Sequence, residues 1–224
     1  SALREGVEYL GISENKITNI SSACDTKKFC ETKDTLDSSK NNFSIGGDFI
    51  LYTGAGDPRK NLYRLLEAYS LLPPNLICKY KLVLAGKLIP EEIDLILRIC
   101  KQFNLPKDYV ILLGFVSDEE LVYLYRKCYL FVFPSFHEGF GLPVLEAINC
   151  GAVVIGSNIS SIPEIINSQN ALFNPYDVNS IKFLIEKVLT NYKFYEDLRL
   201  TQEKSKYKFS WDKTATLLQK KLLE

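Results

Sequence analysis

Short apolar runs alternate with longer amphipathic segments from about Asp48 to the end of the chain. The runs predict strands at residues 49–53, 80–85, 109–113, 130–133 and 152–155, and a weaker one at 171–173. Each run is nearly continuous in apolar residues, which is typical of parallel strands that are covered on both faces.

The segments between and after these runs have the length and periodicity of helices. They cover residues 62–72, 91–103, 118–127, 142–150, 178–189, 194–207 and 212–223. Pro90 precedes two glutamates, Ser117 precedes three acids, and Asp177 is placed to cap the next helix, all of which are helix-start signals. The alternation predicts an α/β fold, a doubly wound, Rossmann-like parallel sheet with a helical tail.

Residues 1–48 differ from the rest of the chain in their pattern of apolar and polar residues. They include a polar stretch at 34–42 that is typical of a loop. We therefore expect 1–48 to be an interdomain linker and amino-terminal segment, and 49–224 to be the folded domain. Methionine is absent, even at position 1, so we expect this sequence to be an excised part of a longer protein.

Composition narrows the class of partner. The chain has 27 basic and 27 acidic residues, so no overall field attracts nucleic acid or anionic lipid. No apolar run approaches the ~18 residues of a membrane span, although peripheral membrane association stays open. The six cysteines form no C-x-x-C pair, and most lie in apolar runs, which favours buried thiols in a reducing cytoplasm.

The loop after the first predicted strand is rich in glycine and then basic. Gly54 and Gly56 let the backbone approach a ligand closely, and Arg59 and Lys60 arrive where the next helix opens. A pyrophosphate would fit there. A turn with two solvated cations is an equally good interpretation of this loop alone, because it is neither a complete G-x-G-x-x-G nor a Walker A sequence.

The loop after the fourth predicted strand carries two glycines between two glutamates. The N–H groups of Phe140, Gly141 and Leu142 are free to face a ligand, and Glu138 and Glu146 bracket the same cavity. Carboxylates that accept from neighbouring hydroxyls suit sugar and ribose recognition. Either glutamate alone is also explained as a loop carboxylate or a first-turn acid.

The loop after the third predicted strand is less specific. Its backbone near Phe115 and Val116 could pair with the edge of a base, whereas the acids at 118–120 are equally explained by helix capping. His137 is the only histidine, and we weigh a general base against a solvent-exposed loop histidine.

At these residues the sequence resembles the carboxyl-terminal domain of a GT-B fold enzyme of the retaining glycosyltransferase family 4, also called group 1. The resemblance runs from about Lys16 to the end. Its motifs are Pro-Arg-Lys-Asn at 58–61, Gly-Phe-Val-Ser-Asp-Glu-Glu-Leu at 114–121, Glu-x7-Glu at 138–146, Ser-Ser-Ile-Pro-Glu at 160–164 and Phe-Ser-Trp at 209–211.

The resemblance implies a role for each candidate residue. Glu138, Arg59 and Lys60 would be the catalytic group, in which the two cations bind the donor diphosphate and offset the charge on the leaving group. Glu138 would position sugar hydroxyls rather than act as a nucleophile. The implied donor-binding residues are Gly54, Gly56, Val116, Phe140, Gly141, Leu142 and Glu146, with ribose at Glu146 and the base near Val116.

The chain departs from the family at two places, where Ala55 replaces a frequent arginine and Ser22–Asp25 replaces Asn-Gly-Val-Asp. The lack of a D-x-D motif fits the metal-independent chemistry that the family implies. The resemblance also implies that the enzyme uses no cofactor.

Residues 157–164 resemble mannosyl- and rhamnosyl-transferring relatives, which favours a GDP-sugar over a UDP-sugar. The glycan, lipid or protein acceptor would bind a second domain outside this sequence, so this chain alone should transfer little.

The leading hypothesis is therefore a retaining transfer of a mannose-like hexose from a nucleoside diphosphate sugar, at a cytoplasmic location. The alternative is a non-catalytic nucleotide-sugar-binding or partner module that assists another transferase. A dinucleotide-dependent oxidoreductase fails because the glycine fingerprint is incomplete.

Overall fold

The computed structural model of the chain describes residues 2–31, 43, 45–54, 56–206 and 208–223. Its centre is a six-stranded sheet in the order β3-β2-β1-β4-β5-β6, and every neighbouring pair of strands is parallel. The strands are β1 (Phe49–Thr53), β2 (Lys81–Ala85), β3 (Val110–Gly114), β4 (Leu130–Phe133), β5 (Val154–Ser157) and β6 (Leu172–Phe173). The predicted fold class is confirmed.

Helices cover both faces of this sheet. They are α1 (Ala2–Leu10), α2 (Leu62–Ser70), α3 (Pro74–Lys79), α4 (Pro90–Gln102), α5 (Asp118–Lys127), α6 (Leu142–Asn149), α7 (Ile162–Ile166), α8 (Val178–Thr190), α9 (Tyr192–Glu203) and α10 (Trp211–Leu223). Helix α2 contacts α4 and α8, while α6 contacts α5, α7 and α9. In a doubly wound parallel sheet, helices before and after the reversal of strand order lie on opposite faces, which fits these two groups.

Three helices were not predicted from the sequence. Helix α3 begins at Pro74, directly after another proline, and α7 is five residues long within a serine-rich motif. Helix α1 has nine residues, and its Tyr9 and Leu10 are exposed. The strand predicted at 152–155 lies two residues later, and the helix predicted at 194–207 begins at Tyr192 and ends at Glu203.

The amino-terminal segment packs against the domain rather than apart from it. Ala23, Cys24, Phe29 and Ile45 are buried, and the last three belong to the main core. Arg126 of α5 also donates to the Cys30 carbonyl. The boundary at residue 48 stays a prediction, and both the loop predicted at 34–42 and the substitution at Ala55 lie outside the described residues.

Burial accounts for most of the cysteines, as predicted. Cys24, Cys100, Cys128 and Cys150 are buried, whereas Cys78 is exposed. Burial raises the pKa of the Cys24 thiol to about 11, so this thiol stays protonated at neutral pH.

The carboxyl-terminal tail is amphipathic and leaves its apolar side in solvent. No residue of α10 is buried, and Trp211, Leu218 and Leu222 are exposed. Among the described residues, no helix is long and apolar enough to cross a membrane.

Candidate functional site

The loops of the candidate site meet at the carboxyl edge of the sheet. Strands β1 and β4 are neighbours at the point where the strand order reverses, so the loops that follow them lie side by side. Ligands of open parallel sheets bind at this switch point. The backbone joins the two loops directly, because the Phe136 N–H donates to the Arg59 carbonyl oxygen at 2.8 Å.

Lys60 and Glu138 form an ion pair across these two loops. The distance from Lys60 Nζ to Glu138 Oε1 is 2.7 Å, and the side chains are only 20% and 13% exposed. The ammonium also lies 5.1 Å from the centre of the Phe133 ring. The structure therefore brings together two of the three residues predicted to form the catalytic group.

Arg59, the third residue, points elsewhere. Its guanidinium pairs with Asp57, with 2.7 Å between Nη2 and Oδ2, and its side chain is 71% exposed. This hydrogen bond lowers the pKa of the Asp57 carboxyl. Asp57 also caps the short 3-10 turn Pro58–Lys60, and this turn directs the two neighbouring cations in different directions. The diphosphate role of Arg59 stays a prediction.

Gly54 leaves room for Lys60. A Cβ at this position would lie 2.9 Å from Lys60 Cγ and 2.8 Å from Tyr52 Oη, and the backbone φ of 153° also disfavours other residues. Gly56 instead makes room for α4, since a Cβ there would lie 2.1 Å from Glu92 Oε1. Glu92 in turn accepts from the Ile89 N–H at the start of α4. Close approach of a ligand at Gly56 stays a prediction.

The glycine loop before α6 presents unpaired backbone donors. The N–H groups of Phe140, Gly141 and Leu142 have no acceptor among the described residues. Gly141 has a φ of 102°, and a Cβ there would lie 2.8 Å from Ile162 Cδ1, so glycine is required at the start of this helix. Adjacent free N–H groups at a helix start favour an anion.

Two serines hold the backbone of Glu138. Ser160 Oγ accepts from the Glu138 N–H at 3.0 Å and donates to the Glu138 carbonyl oxygen at 2.7 Å. Ser161 Oγ donates to the same carbonyl oxygen at 3.1 Å. The Ser-Ser-Ile-Pro-Glu motif marked these serines in the sequence, but nothing there connected them to Glu138.

Glu146 lies on α6 in a half-buried position. Burial raises the pKa of its carboxyl to about 7, a nearby Asp118 adds to the rise, and a hydrogen bond from Tyr125 opposes it. The Tyr125 hydroxyl donates to Glu146 Oε2 at 3.4 Å. The carboxyl predicted to bind ribose therefore titrates near neutral pH.

In the loop after β3, the structure supports helix capping as the explanation of the acidic residues. Ser117 and Glu120 form a reciprocal capping box at the start of α5, with distances of 2.7 and 3.2 Å. The acids there stabilise the helix, as the capping interpretation states. Val116 is half-buried and Phe115 is 77% exposed, and the contact with a base stays a prediction.

Other predicted features have less support from the geometry. His137 is exposed and has no hydrogen bond or ion pair with a described residue.

A cavity of about 540 Å³ adjoins the site between α2 and α4. Its walls include Asp57, Asn61 and Phe136. Sequence patterns did not indicate this cavity. No group of three or more histidine, cysteine or acidic residues able to hold a metal occurs among the described residues.

The sequence is similar to a protein-family model and to known proteins. Residues 34–205 match the family model described as glycosyl transferases group 1. The serotype-specific mannosyltransferase WbdA of Escherichia coli is 44% identical over 220 residues, which are 97% of this chain and 27% of that protein. The O-antigen chain mannosyltransferase B of Escherichia coli is 37% identical over 168 residues, which are 75% of this chain and 44% of that protein.

Two solved structures illustrate the shared fold. Sucrose-phosphate synthase from Thermosynechococcus elongatus has a TM-score of 0.80 at 24% identity. The match covers 98% of this chain and 55% of the chain of that enzyme. Anabaena Alr3699/HepE in complex with UDP and glucose has a TM-score of 0.75 at 17% identity, over 89% of this chain and 55% of its own. The chain spans about a quarter of the length of the WbdA relatives that it matches. It belongs to the glycosyl transferases group 1 family.

Proposed function

We propose that this chain is the donor-binding part of a retaining glycosyltransferase. The donor is a nucleoside diphosphate hexose, with GDP-mannose favoured over a UDP-sugar, and the acceptor is a glycan, lipid or protein held by a second domain. The names of the matched relatives, which are mannosyltransferases, support the choice of mannose. We place the reaction in the cytoplasm.

The observation that carries this proposal is the Lys60–Glu138 pair beside three unpaired N–H groups at the switch point of the sheet. A diphosphate would accept hydrogen bonds from the Lys60 ammonium and from the N–H groups of Phe140 to Leu142. Glu138 would then exchange part of its contact with Lys60 for the hydroxyls of the sugar. One cluster of residues would thus contact both the sugar and the diphosphate, the two groups that the breaking bond joins.

The chemistry follows from this placement. The bond between the anomeric carbon and the diphosphate oxygen breaks, a bond from that carbon to an acceptor oxygen forms on the same face, and the acceptor proton leaves with the diphosphate. Negative charge grows on the departing diphosphate. Lys60 and the fixed N–H dipoles would stabilise that charge without reorganising, which is how a preorganised site lowers a barrier.

The nucleoside would lie on the α5–α6 side of the sheet. Ionised Glu146 would accept from the two ribose hydroxyls, and the backbone near Val116 would meet the base. Because the pKa of Glu146 is about 7, hydroxyl donors would bind its ionised form and release a proton near neutral pH.

A thermal-shift panel tests the proposal. The ligands are GDP, UDP, GDP-mannose, UDP-glucose and, as a control, NADH. A ligand at about 100 times its Kd should raise the melting temperature by roughly 5–10 °C for a chain of this size. We expect GDP and GDP-mannose to stabilise the chain most. The proposal fails if no nucleotide stabilises it, or if NADH alone does.

A transfer assay on the full-length protein separates an enzyme from a binding module. The assay follows release of GDP from GDP-mannose in the presence of oligomannose acceptors. Stable donor binding with neither transfer nor hydrolysis would favour the non-catalytic module over the transferase.

A further inference from the structure

Asn61 links three loops at the carboxyl edge of the sheet. It lies in the loop after β1, and its Nδ2 donates to the Pro134 carbonyl oxygen at 3.0 Å and to the Pro175 carbonyl oxygen at 2.9 Å. Pro134 follows β4 directly, and Pro175 lies two residues after β6. The Asn61 side chain is buried, at 3% exposure of the residue, so these bonds form away from solvent.

Lys60 stands between two connections to the loop that carries Glu138. On one side, the Arg59 carbonyl oxygen accepts from the Phe136 N–H at 2.8 Å. On the other side, Asn61 binds Pro134. The residues before and after Lys60 are therefore both hydrogen-bonded to residues 134–136. These bonds fix the position of the Lys60 backbone relative to the loop that carries Glu138.

The backbone at Asn61 does not by itself require asparagine. Its φ of 57° and ψ of 36° lie in the left-handed region, which glycine and asparagine both adopt. Glycine would satisfy this conformation, and the Asn61 carbonyl would still accept from the Leu65 N–H at the start of α2. Only the asparagine side chain adds two donors for two buried carbonyl oxygens. The amide therefore serves the linkage between loops.

We propose that Asn61 is a positioning residue for the donor diphosphate, acting through the placement of Lys60 against Glu138. The inference rests on the proposed function. It predicts that loss of the amide loosens the β1 loop relative to the β4 loop and weakens recognition of the second phosphate. Binding of the base and ribose, at Val116 and Glu146, should change less.

Calorimetric titrations with four probes test this role. GDP and UDP contain the diphosphate, whereas GMP and UMP keep the base and ribose but lack the second phosphate. We expect Asn61→Gly to weaken binding of the preferred diphosphate by about tenfold and binding of its monophosphate by much less. Asn61→Ser is the second variant if Asn61→Gly does not fold. Its hydroxyl has a single proton and cannot donate to both carbonyl oxygens, so we expect the same pattern.

Asn104→Gly is the matched control. Asn104 is also left-handed, with a φ of 53°, but it is exposed and lies in the turn after α4. This substitution makes the same backbone change without removing a link between loops. It should leave the affinities for all four probes unchanged.

A double-mutant cycle distinguishes positioning from general destabilisation. If Asn61 acts through Lys60, Asn61→Gly should have little further effect on diphosphate affinity in a Lys60→Ala background. Equal losses in both backgrounds, or equal losses for diphosphate and monophosphate, would overturn the inference. Wild-type chain that binds neither GDP nor UDP would instead overturn the proposed function.

Discussion

The buried carboxyl of Glu146 predicts a pH dependence of stability that needs no ligand to measure. Its pKa is about 7 in the folded chain, against an ordinary value of 4.5, because burial disfavours the charged form. The folded chain therefore holds this proton more tightly than the unfolded chain does. The stability that results is complete below pH 4.5 and is lost as the pH rises through 7.

The size of this effect follows from the two pKa values. At about 1.4 kcal/mol for each pKa unit, the interval corresponds to at most about 3.5 kcal/mol of unfolding free energy. Between pH 5 and pH 8 the wild-type chain should lose about 2.5 kcal/mol of this. Solvent still reaches part of the half-buried side chain, so these figures are upper values.

Urea unfolding of the wild-type chain and Glu146→Gln measures this loss. The glutamine keeps the shape of the side chain but does not titrate, so the difference between the two unfolding free energies isolates Glu146. Wild type should lose stability relative to the variant from pH 5 to pH 8.

A difference between wild type and Glu146→Gln that stays constant within about 0.5 kcal/mol from pH 5 to pH 8 would refute the reasoning. It would mean that the carboxyl titrates alike in the folded and unfolded chains. The half-buried position beside Tyr125 would then carry no desolvation penalty.

Three further substitutions have defined outcomes. Gln202→Leu should lower the unfolding free energy by about 2–4 kcal/mol in urea, because the buried amide binds both the N–H and the C=O of Val154, at 2.9 and 2.6 Å. Ser160→Ala should weaken GDP-mannose more than GDP in calorimetry, because it frees the backbone of Glu138; equal losses would contradict this. Gly54→Ala should weaken GDP and GDP-mannose alike, since its Cβ would displace Lys60, and unchanged GDP affinity would show that Lys60 adapts.

The sheet was predictable from the sequence because its strands are buried on both faces. Such strands are continuous apolar runs, and the helical segments between them imply parallel crossovers. Short helices were not predictable in this way. Helix α7 has five residues and follows two serines, so the pattern that identifies longer amphipathic helices has no room to appear.

The location of the site was predictable from the sequence, but the contacts between its residues were not. The rule that ligands bind beyond the carboxyl ends of parallel strands brought the Lys60 loop and the Glu138 loop together, although the two residues are 78 positions apart. The divergence of Arg59 from Lys60 depends on the 3-10 turn that Asp57 caps. The roles of Asn61 and Ser160 depend on contacts between loops that no local pattern encodes.

The central claim is that a nucleoside diphosphate binds both Lys60, in the loop after β1, and the unpaired N–H groups at the start of α6. The most direct measurement is calorimetric titration of GDP and UDP into the wild-type chain, Lys60→Ala and Arg59→Ala, each shown to be folded by circular dichroism. We expect wild type to bind GDP more tightly than UDP, Lys60→Ala to lose at least about tenfold in affinity, and Arg59→Ala to lose less. A wild-type chain that binds neither nucleotide, or a Lys60→Ala variant that binds as tightly as wild type, would contradict the claim.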